Sequence, residues 1–220
     1  MCLVGLERNN EAIAYLEKVT DADDPIPDDL MAKYGIGGQM VVSVTPIAVV
    51  EVPISTVGAA LLLAELYQCI DRVDDAIELV ESLGAMSNDP SCALSLADLY
   101  SARRQWDDVV RVTDDFTSNT DDLTALILVF RAQALSELGL RDAALISAKE
   151  ALRFKKRSAE VLHAARYQRA LTYEAMNKHT QSRRDPERIY AEAPDFADVA
   201  ERLGLEGAPP RPDRAARGGQ

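Results

Sequence analysis

One short pattern returns four times along this chain. Leu63-Ala64-x-x-Tyr67 is followed 33 residues later by Leu96-Ala97-x-x-Tyr100, then after 35 more by Ala132-x-x-Leu135 and after 38 more by Ala170-x-x-Tyr173. Twelve residues after each leading alanine stand Ala76, Val109, Ala144 and Ser182, and an acidic residue sits two before the first three: Asp74, Asp107 and Asp142. A period of this length holds one supersecondary unit that cannot bury its apolar side alone, so successive units have to stack.

The stretch Leu62 to Leu83 shows what the unit is. Leu62, Leu63, Leu66, Tyr67 and Ile70 form one apolar stripe at helical spacing, and Val73, Ala76, Ile77, Val80 and Leu83 form another. Two short helices follow, with Asp71 expected as the cap of the second and Asp74 and Asp75 in its first turn, where carboxylates meet exposed N–H groups. Ala64 and Ala76 are small side chains that let antiparallel helices cross closely while larger neighbours fill the flanks. The unit is a helical hairpin.

At these residues the chain resembles the tetratricopeptide repeat (TPR) family, whose repeat is about 34 residues long with a W-x₂-L-G-x₂-Y…A-x₃-F…P pattern. The resemblance covers residues 57–192 and weakens toward the fourth unit. Ala60, Ala93, Leu128 and Arg166 stand where the signature has tryptophan, and alanine replaces its early glycine in every unit. It implies an all-α fold, a TPR-like right-handed superhelix of about four helix-turn-helix units. In the fourth unit Asp185-Pro186 falls where the second helix should run, so that helix is expected to start late, with Asp185 as N-cap after a long loop from Asn177 to Arg184. A short helix from Phe196 to Leu203 is expected to close the array before Gly204, and Gly207 to Gln220 to be a disordered tail.

The front differs. Glu11 to Val19 reads as the second helix of another hairpin, with Ala12 in the place of Ala76, but its partner helix is largely missing; the chain is therefore expected to be a fragment of a longer array or to begin at an alternative start. The acidic run Asp21 to Asp29 lacks the alternating oxygen ligands, central glycine and closing glutamate of a calcium loop, so it reads as a linker that caps a helix at Leu30. Gly35, Gly37 and Gly38 precede a strand and lack the Lys-Ser/Thr of a phosphate loop, which makes them a turn. Met40–Val44 and Ile47–Ile54 then read as a β-hairpin, with Met40, Val42 and Val44 on one face of the first strand and Ala48, Val50 and Val52 on one face of the second. Pro46 cannot take a positive φ, so a connection of three or four residues is expected. A lone hairpin is marginal in water and must lean on something: it is a structural insertion covering the array's end, or an edge for dimerisation. The expected organisation is a partial hairpin over 1–20, linker and β-hairpin insertion over 21–55, the helical array over 56–204 and a tail over 205–220.

Charge and composition narrow the function classes. Residues 1–130 carry 7 basic and 23 acidic side chains and residues 131–220 carry 17 and 13. An acidic body disfavours nucleic acid. The basic cluster Arg153, Lys155, Lys156 and Arg157, with Arg166, Arg169, Arg183, Arg184 and Arg188 further on, has little aromatic interleaving, though it keeps an anionic polymer as an alternative ligand. Acidic doublets (Asp74/Asp75, Asp107/Asp108, Asp121/Asp122) sit at helix starts, where capping accounts for them. His163 and His179 have no linked nucleophile or acid at telling spacing, so no catalytic residue, metal ligand or cofactor site is assigned. Cys2, Cys69 and Cys92 lack metal or redox spacing, which suggests reduced cysteines and a cytoplasmic protein. Val52 to Ile70 is the one membrane-like stretch, but it contains Pro53 and Glu65, so no membrane partner is expected.

In the family this chain resembles, the first helix of each hairpin lines a concave groove that takes peptides or protein segments. Carried onto these helices, the lining is Leu61, Glu65 and Gln68; Leu94, Asp98 and Ser101; Val129, Gln133 and Glu137; and Tyr167, Leu171 and Glu174. The face mixes apolar anchors with carboxylates and lacks the lysines and asparagines with which some members clamp a terminal carboxylate. The expected function is a non-catalytic protein-interaction module for a segment bearing basic and apolar side chains. The alternative is a regulatory or scaffold subunit of an enzyme complex.

Overall fold

The computed structural model describes residues 6–20, 38–45, 47–83 and 89–205. The elements are α1 (Leu6–Thr20), β1 (Gln39–Thr45), β2 (Ala48–Pro53), α2 (Thr56–Cys69), α3 (Val73–Ser82), α4 (Pro90–Ala102), α5 (Trp106–Val112), α6 (Asp122–Glu137), α7 (Arg141–Ala151), α8 (Ala159–Ala175), α9 (His179–Glu192) and α10 (Val199–Arg202). Helices pair as α2/α3, α4/α5, α6/α7 and α8/α9, and contacts beyond each pair run mainly to the next one. This nearest-neighbour pattern is that of a solenoid.

The same turn builds every hairpin. Asp71, Arg104, Gly139 and Asn177, each seven residues past its crossing alanine, adopt left-handed backbone with φ of 63°, 57°, 81° and 57°. Each donates its N–H to the carbonyl three residues back, and the next residue's N–H bonds five back, as in Arg72 to Tyr67 at 2.8 Å and Lys178 to Tyr173 at 2.9 Å. That double bond is the Schellman closure, which satisfies the orphan carbonyls of the first helix while reversing the chain. Asp71 is thus the turn residue and not the cap that sequence reasoning expects; Arg72 holds the N-cap position with no side-chain bond. The first helices do carry side-chain caps, from Ser55, Asp89, Asp121 and Ser158.

The crossing alanines are where the repeat places them. Ala64, Ala97, Ala132 and Ala170 are 2%, 0%, 0% and 3% exposed, and Ala76, Val109 and Ala144 are fully buried opposite them. The fourth unit departs from expectation in a useful way. α9 begins at His179, directly after the Asn177 turn, and carries Pro186 inside it. Asp185 does not cap: it is buried and accepts Arg169 Nε and Nη2 at 2.8 and 2.7 Å. The regular turn and this bidentate pair hold the helix through its proline.

α1 takes the role of a second helix. Glu17, five residues after Ala12, accepts the Tyr67 hydroxyl at 2.7 Å, as Glu81, five after Ala76, accepts that of Tyr100. The β-hairpin pairs Met40 with Val52 and Val42 with Val50, and Val42, Val44, Ala48, Val50 and Val52 are buried as the alternation predicts. β1 ends at Thr45 and β2 begins at Ala48, a closer connection than expected, with a register irregularity between Ser43 and Thr45 taking up the difference. Cys69 is disulfide-bonded, against the expectation of reduced cysteines, while Cys92 is buried as a free thiol. The acidic linker with its expected helix at Leu30, Gly35 and Gly37, and the tail from Glu206, lie outside the described residues.

Candidate functional site: the concave face

The hairpin lies across the amino-terminal part of the face expected to be a groove. β1 packs against α2 and α4, and the inward valines join Leu61 and Leu94 in one buried cluster. Leu61 is 2% and Leu94 0% exposed, so neither is available to a partner. Gly58 makes the approach possible, because a Cβ there would stand 2.5 Å from the Pro53 carbonyl oxygen and 2.9 Å from Met40 Sδ. Glu65 is the polar latch: burial raises its pKa, and the backbone N–H of Ser43, which it accepts, opposes that rise without cancelling it. Four buried valines at about 1.5–3 kcal/mol each are worth as much as a typical domain's whole stability of about 5–15 kcal/mol. The hairpin is therefore part of the core and not a removable lid. Gly58 carries no sequence signature of this contact beyond being a glycine near a helix start; the six inward apolar residues of the hairpin are the legible half of it.

Further along, the row of first helices is linked by polar bonds. Gln68 Nε2 donates to Asp98 Oδ2 at 2.8 Å, tying the first unit to the second, and burial raises the pKa of Asp98 against the pull of that bond. Ser101 Oγ is buried without a hydrogen-bond partner. Val129 is partly buried against the core, and Gln133 is partly exposed. Glu137 is exposed but stands one residue past the row: Gln68, Ser101 and Glu174 each lie four after the crossing alanine, and their counterpart in the third unit is Ser136.

At the far end, α10 stands beside α8 as a truncated next helix. Tyr167 donates to Asp198 at 2.5 Å, Arg202 Nη1 to Glu174 at 2.6 Å, and Arg202 Nε to Asp198 at 2.8 Å. Burial pushes the Asp198 carboxyl up, but hydrogen bonds from Arg202 and Tyr167 outweigh it and hold the pKa low. Because α10 is only 4 residues long, a cleft of about 280 Å³ remains beside Leu171, Glu174, His179, Arg183 and Leu203. Tyr167, Leu171 and Glu174 are therefore brought together, whereas the first and second units' lining is divided between core and inter-helix bonds.

The basic half is mostly neutralised within the chain. Arg169 pairs with Asp185, Arg166 and Arg188 with Glu192, Arg183 with Glu187, and Arg153 with Glu150, while Arg157 bonds Asn119. His163 is buried and shares Glu192 at 3.0 Å, and that bond, with Arg166 beside it, lowers the Glu192 pKa to about 2. Among the described residues, no group of His, Cys, Asp and Glu could hold a metal ion, and no helix is long and apolar enough to cross a membrane.

Residues 8–204 match the family described as T7SS, ESX-1 secretion system protein EccA1, N-terminal domain. Among solved structures, the chain is similar to the N-terminal domain of the EccA1 ATPase from the ESX-1 secretion system of Mycobacterium tuberculosis, with TM-score 0.64, 15% identity, and 90% of this chain and 78% of that one covered. It is also similar to a thermophilic TPR protein of Thermus thermophilus (TM-score 0.55, 16% identity, 90% of each chain). A third likeness is to MamA of AMB-1 (TM-score 0.51, 22% identity, 90% of this chain and 88% of that one). At these identities the likeness is one of fold. No curated protein matches.

Proposed function

The chain belongs to the family of EccA1 N-terminal domains of the ESX-1 type VII secretion system, and from that membership we propose that it is a non-catalytic protein-interaction module. The observation that supports this reading is the stack of first helices on which, beyond the hairpin, the expected lining positions Gln133, Leu171 and Glu174 are exposed or half-exposed, with Glu137 exposed one residue beside the row. The partner is a protein segment with basic and apolar side chains, to which Glu137 and Glu174, the latter already bonded to Arg202, offer carboxylates and Leu171 an apolar contact. The set of lining residues contracts accordingly: Leu61, Glu65 and Leu94 serve the hairpin, and Gln68 and Asp98 tie units together. The test is binding of a fluorescent lysine–leucine peptide to the wild type and to the variant Glu137→Lys plus Glu174→Gln. The variant loses about tenfold in affinity, which corresponds to about 1.4 kcal/mol. Equal affinities would dismiss the groove.

A second reading is favoured by the relative's description as the N-terminal domain of an ATPase. In it, this chain is the recognition part of an assembly whose hydrolytic centre lies elsewhere. The measurement is the hydrolysis rate of a companion ATPase with and without this chain; an unchanged rate removes that reading.

A further inference from the structure

The repeat supplies its own control for what an outer helix surface needs. Two residues past the crossing position, three of the second helices carry Glu78, Arg111 and Arg184, while α7 carries Ile146, 69% exposed. Five past it stand Glu17, Glu81, Asp114 and Glu187, whereas α7 has Lys149. In the first three of these, the carboxylate accepts a bond from a neighbouring first helix: from Tyr67, Tyr100 and Arg131 respectively. Lys149 is exposed and has no ion pair among the described residues. At the N-cap, Arg72, Gln105 and Lys178 correspond to Leu140, which is 55% exposed. After α7 the chain sets Phe154, 44% exposed, with the guanidinium carbons of Arg153 and Arg157 each 5.4 Å from its ring centroid. Lys155 and Lys156 are exposed next to it.

We infer that the outer surface of the third unit, centred on Ile146 and Lys149 of α7 and reaching Phe154, docks an acidic protein segment that carries a large apolar side chain. Ile146 and Lys149, three residues apart, share one side of α7 and are both exposed, and Ile146 stands where the second helices of the other three units keep a charge. Charge complementarity selects the occupant. Lys149, Lys155 and Lys156 have no ion pair among the described residues, while Glu150 is engaged by Arg153 and by the Asn119 N–H, and Asp122 by Arg157 and the Ser158 N–H. A nucleic acid is the poorer match, since the anchors are two aliphatic side chains and one ring already flanked by guanidiniums. The site is independent of the concave face.

The test is fluorescence anisotropy of the full chain with a labelled glutamate–leucine peptide, compared with polyglutamate and lysine–leucine peptides of equal length. The glutamate–leucine peptide binds about tenfold tighter than either comparator, and Ile146→Glu and Lys149→Glu each weaken it about fivefold. Both substitutions install residues that stand at the same position in another unit, so thermal melts remain those of the wild type. Glu137→Lys leaves this affinity unchanged, which separates the site from the groove. The inference is overturned if Ile146→Glu binds as tightly as wild type, if polyglutamate binds as well as the mixed peptide, or if the peptide does not bind. It is equally overturned if the Ile146-dependent event is capture of heparin or self-association measured by light scattering.

Discussion

Replacing Gly58 with alanine tests whether the hairpin closes the amino-terminal half of the concave face. In an unobstructed helix this change stabilises by up to about 1 kcal/mol, since glycine loses more backbone freedom on folding. Here the added Cβ meets the Pro53 carbonyl oxygen at 2.5 Å, Met40 Sδ at 2.9 Å and Val52 Cγ2 at 3.1 Å. The thioether can swing aside, but the carbonyl is backbone at the end of β2 and must retreat with its strand. Overpacking of this kind costs about 1–3 kcal/mol, so the helix gain is offset and a net loss of up to about 2 kcal/mol remains. For a domain of this size that lowers the melting temperature by up to roughly 8 °C. Calorimetry measures the loss, and hydrogen exchange locates it, with faster exchange of the paired Val42 and Val50 amides. Gly139→Ala is the control: its φ of 81° strains an alanine, yet nothing lies within 4 Å of the new Cβ, so it destabilises without touching hairpin exchange. A Gly58→Ala protein that melts higher, or keeps full protection at Val42 and Val50, would refute the docking of the hairpin on α2.

Three further outcomes follow from the polar contacts. Asp185→Ala strands Arg169 beside a buried site and costs about 3 kcal/mol by urea unfolding, while Arg169→Met with Asp185→Leu recovers most of it; equal costs would show that the charge pair is not the cause. Glu192 has a folded pKa of about 2 against an ordinary 4.5. Its stabilising share is complete above the ordinary value and disappears as pH falls toward about 2, so Glu192→Gln flattens the acid limb of stability over that window, by less than the full shift because the side chain is 44% exposed. Tyr100→Phe removes the hydroxyl bond to Glu81 and costs about 1–1.5 kcal/mol by chemical unfolding; in alkaline titration, Tyr67 and Tyr100, both pushed up to about 12 by burial and their glutamate partners, ionise well above the ordinary tyrosine value of 10.0.

How much could be read without coordinates depends on the range of the interaction. The helical pairs, the buried alanines and the two-faced hairpin follow from periodicities of a few residues, because a side chain's direction on a helix or strand is set by its neighbours in sequence. Ala64, Ala97, Ala132 and Ala170 mark equivalent crossings for that reason. Asp71 misleads because aspartate serves both as an N-cap and as a left-handed turn residue, and only the turn's bonds distinguish them. Asp185 misleads because its partner Arg169 sits 16 residues away on another helix. The same logic at longer range takes Leu61 and Leu94 out of the expected lining, because they are buried with the inward valines of the hairpin. Sequence determined by itself that the chain is a stack of helical hairpins with a β-hairpin before it. Only tertiary structure decided that this β-hairpin settles on α2 and α4, over Leu61 and Leu94 of the expected lining, since which surfaces meet depends on where distant apolar faces find burial and not on local preference.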